Sequence, residues 1–93
     1  MSGLDQAAVP VIPRGVRLHH DTVRSRWVLL APERTIDLDP IGLAILQQID
    51  GLRSFGDVVA QLASIYDAPA AQIEGDVAAF LAGLADRRIL EFS

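Results

Sequence analysis

The apolar residues of this chain change their spacing once, at Asp39-Pro40, and that change restricts the fold more than any other feature. Before it they alternate. Val16, Leu18 and His20 are interleaved with Arg17 and His19, the period-two pattern of a strand with one buried face. Asp21 to Ser25 supplies turn residues, and Arg26-Trp27-Val28-Leu29-Leu30 reads as a second, more continuously apolar strand. Pro32-Glu33 breaks it ahead of a third strand, Arg34 to Leu38, in which Ile36 and Leu38 flank Asp37. Beyond Asp39-Pro40 the spacing becomes helical, because Asp39 is a good N-cap and Pro40 suits the first helical position. Ile41, Ile45, Ile49 and Leu52 mark a first helix that Asp50-Gly51 brings to an end. Ser54 with Asp57 resembles a capping box, and Phe55, Val58, Val59, Leu62, Ala63 and Tyr66 form the stripe of a second helix. After Asp67-Ala68-Pro69, a third stripe of Ile73, Val77, Phe80, Leu81 and Leu84 runs toward Arg87-Arg88, cations at the negative end of the helix dipole. Ile89 to Phe92 is expected to close as a short strand or wing. Three strands followed by three helices, the last two joined by a short connection, predict an α+β fold with a winged helix-turn-helix arrangement.

Ninety-three residues make one domain, and a chain this short hides only about 60% of the surface its unfolded form exposes. Its hydrophobic content of 51%, with few aromatics, implies a core of Leu, Ile, Val and Ala. Residues 1–13 contain Pro10 and Pro13, which break regular structure, so they are expected to be a flexible N-terminal segment ahead of a domain over 14–93. There is no cysteine, which removes disulfides, thiol nucleophiles and Cys-based metal sites. The apolar runs are short and residues 1–8 lack the regions of a signal peptide, which points to a cytoplasmic protein with no membrane partner. Net charge is −4 and every basic residue is Arg, so no broad phosphate-binding face is expected and nucleic acid is a poor partner.

Catalytic chemistry finds no foothold. His19 and His20 are adjacent on a strand and point to opposite faces, which is unsuited to one shared metal. No Gly-x-Ser-x-Gly elbow surrounds any serine, and Ser54 is better used as a helix cap. The seven glycines are scattered and form no phosphate loop. Glu74, Asp76 and Asp86 read as the solvated face of the third helix, and Gln72, Glu74 and Asp76 at its entering end oppose a DNA phosphate. Neither an enzymatic activity nor a cofactor or metal is expected. Binding is better supported: the strand Arg34 to Leu38 is placed to be a sheet edge that an extended peptide can lengthen. The small residues Ala78, Ala79, Ala82, Gly83 and Ala85 leave room for a shallow groove on the third helix.

Four stretches, in order and spacing, resemble the PqqD family of pyrroloquinoline quinone (PQQ) biosynthesis. They are Pro13-Arg14-Gly15-Val16-Arg17-Leu18, Trp27-Val28-Leu29-Leu30-Ala31-Pro32-Glu33, Ile45-Leu46 with Ile49-Asp50-Gly51, and Asp76-Val77 with Phe80-Leu81 and Leu84. Together they cover about residues 10–90. Arg88 departs from the family, which is often glycine-like there. The resemblance implies a winged helix-turn-helix domain that recognises leader segments of ribosomally made, modified peptides. It implies a chaperone that binds the precursor peptide PqqA and delivers it to the radical SAM enzyme PqqE, where the cofactor chemistry resides. The peptide-binding surface so implied is Arg34, Thr35, Ile36, Asp37 and Leu38 beside Asp76, Val77, Phe80, Leu81 and Leu84, with Arg34 set to pair with an acidic peptide residue. A DNA-binding winged helix and a dimeric adaptor stand as alternatives, the latter because an exposed edge also permits pairing into a homodimer.

Overall fold

A computed structural model describes residues 4–93. The chain forms β1 (Pro10–Val11), β2 (Arg17–Asp21), β3 (Arg26–Ala31), β4 (Arg34–Asp37), α1 (Pro40–Gln47), α2 (Phe55–Tyr66), α3 (Ala70–Asp86) and β5 (Glu91–Phe92). Strands β2, β3 and β4 make an antiparallel sheet in that order, so β3 is central and β2 and β4 are its edges. The α+β arrangement of three strands followed by three helices is the one the sequence predicts.

Local chemistry sets the connections. The Asp21 carboxylate accepts from the backbone N–H groups of Val23 (3.1 Å) and Arg24 (3.2 Å), turning β2 into β3. Pro32 and the left-handed Glu33 (φ 64°) turn β3 into β4 within two residues. Asp39 caps α1 by accepting from Gly42 N–H at 2.6 Å. The capping box of α2 is complete: Ser54 Oγ accepts from Asp57 N–H (3.1 Å), and Asp57 Oδ2 accepts from Ser54 N–H (3.0 Å).

The core lies between the helices and one face of the sheet. Leu29 from β3 meets Ile45 and Leu46 of α1, Phe55, Val58, Val59 and Leu62 of α2, and Val77, Leu81 and Leu84 of α3, all nearly inaccessible. Each such side chain contributes about 1.5–3 kcal/mol relative to exposure. Ile36 and Leu38 pack against this cluster from the edge strand.

Two sequence expectations are corrected. The first helix ends at Gln47, so Ile49 and Leu52 fall outside it, and Leu52 is largely exposed. Asp50 is the cause: its carboxylate accepts from the N–H groups of Leu52 (2.9 Å) and Arg53 (2.8 Å), and Gly51 is left-handed (φ 80°). Those bonds form a turn that competes with another helical turn.

The second correction concerns the segment expected to be a flexible lead-in. Its residues 1–3 lie outside the described part, but from Leu4 onward it is tied to the domain. Val9 and Ser93 exchange backbone hydrogen bonds (3.4 and 2.8 Å), Phe55 N–H donates to Ala8 O (2.7 Å), and Gly56 N–H donates to Gln6 O (3.0 Å). Proline fails to exclude a strand here because of its phase. Val9 and Ser93 form a hydrogen-bonded pair, which puts the Pro10–Phe92 pair in the non-hydrogen-bonded position, where the missing donor is not needed. Pro10 itself is buried.

Candidate functional site

The open edge of β4 is the natural starting point for a binding site, and its backbone phase can be read from one bond. Leu38 N–H donates to Trp27 O at 3.1 Å, in register with the pairs Val28–Asp37, Leu29–Ile36, Leu30–Thr35 and Ala31–Arg34. Alternation along an antiparallel ladder then turns the backbone groups of Arg34, Ile36 and Leu38 toward β3. The N–H and C=O groups of Thr35 and Asp37 therefore point away from the sheet, toward whatever lies beside the edge.

Side chains alternate as well. Ile36 and Leu38 face the core side with Arg34 on the same face of the strand, while Thr35 and Asp37 project from the other face. There Asp37 Oδ2 pairs with Arg26 Nη1 at 3.0 Å, about half exposed on both sides. The Asp37 side chain thus has a partner within its own sheet while its backbone faces the edge. Arg34 is exposed and takes part in no ion pair among the described residues.

Beside β4, helix α3 borders two shallow hollows. One, of about 220 Å³, is lined by Ile36, Ala79, Phe80, Gly83, Leu84 and Arg87. It is the groove expected where the small residues of α3 leave space. The other, of about 210 Å³, lies farther toward the start of α3, between Ile41 and Ile45 of α1, Leu62 and Tyr66 of α2, and Ile73, Asp76 and Val77 of α3. Phe80, which lines the first hollow, lies against α1 at Gly42, where a Cβ would stand 3.0 Å from Phe80 Cε1. Glycine at this position lets the aromatic ring touch the helix backbone.

The residues implied for peptide binding therefore divide. Ile36, Phe80 and Leu84 come together in the first hollow, and Asp76 and Val77 line the second. Leu81 is fully enclosed and borders neither, so it stands in the core behind them. Val77 and Leu84 are also nearly inaccessible and serve as walls rather than as protruding contacts. Sequence reasoning placed Ile41 and Tyr66 on buried stripes and so missed them at the second hollow. The structure leaves them about half exposed, at 47% and 42%. No sequence signal distinguishes them from true core positions, since helical spacing does not say how wide the buried face is.

Charge is sparse here. Arg87 is the one charged residue lining the first hollow and Asp76 the one lining the second. His19 and His20 lie outside both: His19 stands opposite Val28, and His20 opposite Trp27, with the His20 and Trp27 rings 5.0 Å apart. Among the described residues no group of three or more His, Cys, Asp or Glu side chains gathers as a metal site would require. No helix among them is long and apolar enough to cross a membrane.

A small sheet with a free edge, set beside a helix whose surface carries apolar hollows, defines a winged-helix-type α+β domain. Residues 26–90 match the family model described as "Coenzyme PQQ synthesis protein D (PqqD)", and the chain belongs to the PqqD family. A "PqqA binding protein" of Xanthomonas euvesicatoria pv. vesicatoria (strain 85-10) is 47% identical over 90 residues, covering 97% of this chain and 98% of the relative. A "Bifunctional coenzyme PQQ synthesis protein C/D" of Methylorubrum extorquens is 51% identical over 83 residues, which is 89% of this chain and 22% of that longer protein. The solution NMR structure of the PqqD truncation of Methylobacterium extorquens PqqCD represents a functional, stand-alone recognition element for ribosomally synthesized and post-translationally modified peptides. It matches this fold with a TM-score of 0.82 at 47% identity, over 96% of this chain and 95% of that one. The crystal structure of PqqD from Xanthomonas campestris matches with a TM-score of 0.61 at 40% identity, over 96% and 99%.

Proposed function

We propose that this chain is a noncatalytic chaperone of PQQ synthesis, which binds the precursor peptide PqqA by strand addition on β4 and presents it to the radical SAM enzyme PqqE. The observation that carries the reading is the outward-facing backbone of Thr35 and Asp37 beside an apolar hollow built by Ile36, Phe80 and Leu84. The names of the relatives as PqqA binding proteins supply the ligand.

The energetics favour a combined mode. Two outward residues offer about four backbone hydrogen bonds at ~1 kcal/mol each. Ordering a flexible peptide costs about 2–5 kcal/mol, so hydrogen bonds alone barely offset it. Apolar anchors at about 2 kcal/mol each therefore decide whether binding is measurable. Arg34, exposed at the end of the edge, is the cation placed to meet an acidic peptide residue.

The test is an NMR titration of labelled protein with a PqqA-type precursor peptide, comparing the native chain with Thr35→Pro and Ile36→Pro. Proline at 35 removes an outward donor and leaves the β3 ladder intact; proline at 36 removes a donor to Leu29 and damages the sheet. Shifts should cluster on residues 34–38 and the lining of the Phe80 hollow. A folded Thr35→Pro chain should bind about fivefold more weakly, one lost hydrogen bond of ~1 kcal/mol. An unchanged native spectrum at high peptide concentration defeats the reading, and equal binding by Thr35→Pro defeats strand addition on this edge. Presentation is tested separately, by whether cross-linking of the precursor by PqqE depends on this chain.

A further inference from the structure

The two hollows along α3 have opposite charges at their borders, and nothing in simple strand addition requires that. Arg87 at the C-terminal cap of α3 borders the hollow beside Ile36, and Asp76 borders the hollow between Ile41, Tyr66 and Ile73. Both side chains are exposed, and neither takes part in an ion pair among the described residues. Arg34, on the same strand face as Ile36, reinforces the positive end.

Resting on the peptide-binding reading above, we infer that the binding surface extends past Phe80 into the second hollow and selects the order of charges along its peptide. The occupant is an extended segment with an apolar side chain for each hollow, an acidic residue toward Arg87 and Arg34, and a basic residue toward Asp76. Asp76 and Arg87 are eleven positions apart along α3 and its C-cap, about 16 Å at ~1.5 Å per residue. An extended peptide spans that distance in about five residues at ~3.3 Å each. One short strand-forming segment therefore reaches both ends. Backbone pairing to β4 is nearly indifferent to sequence, and a parallel and an antiparallel peptide make similar bonds. A charge at each end of the groove supplies what that pairing lacks, since a peptide running the wrong way places like charges together.

The second hollow is suited to an apolar anchor. Its lining is almost wholly apolar, with Gln72 and Tyr66 as its other polar members, and Ile41 and Tyr66 are about half exposed at its border. Phe80, four residues after Asp76 on α3 and seated on Gly42, lines the first hollow and not the second, so the two anchors fall on different parts of the helix.

The experiment compares two probes on two proteins. The probes are a PqqA-type precursor peptide and the same peptide with every acidic residue changed to Arg and every basic residue to Glu. The proteins are the native chain and the double variant Asp76→Arg with Arg87→Glu, which keeps the net charge and alters only exposed positions. The native chain should prefer the precursor by about tenfold at low salt, and the double variant should reverse that preference. Both effects should shrink toward physiological salt, where the Debye length is about 8 Å. Methyl shifts of Ile41 and Ile73, as well as of Ile36, should accompany binding to the native chain. A preference that is absent, or that stays the same in the double variant, overturns the charge selection while leaving peptide binding in place. Shifts confined to Ile36 and its neighbours overturn the extension into the second hollow. Binding of neither probe to the native chain overturns the inference together with the reading on which it rests. If the double variant loses the native spectrum, Asp76→Arg alone gives the same comparison, with a preference reduced rather than reversed.

Discussion

Replacing Arg88 by glycine should stabilise this protein, although it removes a cation from a helix C-terminus. Arg88 is left-handed (φ 61°), and the bonds around it form a Schellman ending for α3. Arg88 N–H donates to Ala85 O at 2.9 Å and Ile89 N–H to Leu84 O at 3.0 Å, while Leu84 and Ile89 are both buried. The position after the helix cap is one where glycine is normally preferred, because a Cβ in the left-handed region costs about 1–2 kcal/mol. Glycine returns part of that through the greater freedom of its unfolded chain, about 0.5–1 kcal/mol. A net gain of about 0.5–1 kcal/mol is expected, which raises Tm by roughly 2–8 °C in a domain this size. Arg88→Ala is the necessary control. It loses the same charge at the dipole but keeps the Cβ, so the difference between the two variants isolates the backbone strain. Thermal and urea unfolding of the three proteins should rank glycine above alanine by about 1 kcal/mol. If alanine equals or exceeds glycine, backbone strain at this position does not limit stability and the reasoning is wrong.

Two other predictions concern the chain ends and turns. Removing residues 1–9 takes away the partners of Phe55 N–H, Gly56 N–H and Ser93, and should lower stability by about 2–4 kcal/mol in urea unfolding, at roughly 0.5–1.5 kcal/mol per hydrogen bond; an unchanged midpoint would show that the strap is incidental. Hydrogen bonds from the Arg53 and Leu52 N–H groups hold the Asp50 carboxyl below its ordinary pKa. Its folded value being depressed, its contribution is present above the ordinary carboxylate range and is lost as pH falls through that lowered value. The stability gap between the native chain and Asp50→Ala, followed by thermal unfolding across acidic pH, should accordingly close at the acid end; a gap independent of pH would refute this assignment.

Much of the fold was legible because it is encoded over short distances. Asp39 with Gly42, and Ser54 with Asp57, are three residues apart; Asp39 caps α1 as its residue type and the following Pro40 suggest, and the Ser54–Asp57 bonds form between the two residues the sequence pairs. The alternation of Leu18, Leu29 and Ile36 and the helical stripes of α2 and α3 likewise report one buried face per element. The first helix was read too long because Ile49 and Leu52 keep the helical spacing, while the turn around Asp50 depends on a side-chain hydrogen bond that spacing does not reveal.

What the sequence determined by itself was the kind and order of the elements, together with most of the side chains that enclose the core. Tertiary structure decided the rest. It brought Val9 and Pro10 to Phe92 and Ser93 from opposite ends of the chain, a pairing without any local signature. It chose Thr35 and Asp37, rather than Ile36, as the residues whose backbone is open at the edge, because that phase depends on the register with β3. It also left Ile41 and Tyr66 half exposed while burying Leu81, though all three lie on apolar helical stripes. Periodicity fixes which face of an element turns inward; only the packing of three helices against one another fixes how much of that face remains open to a ligand.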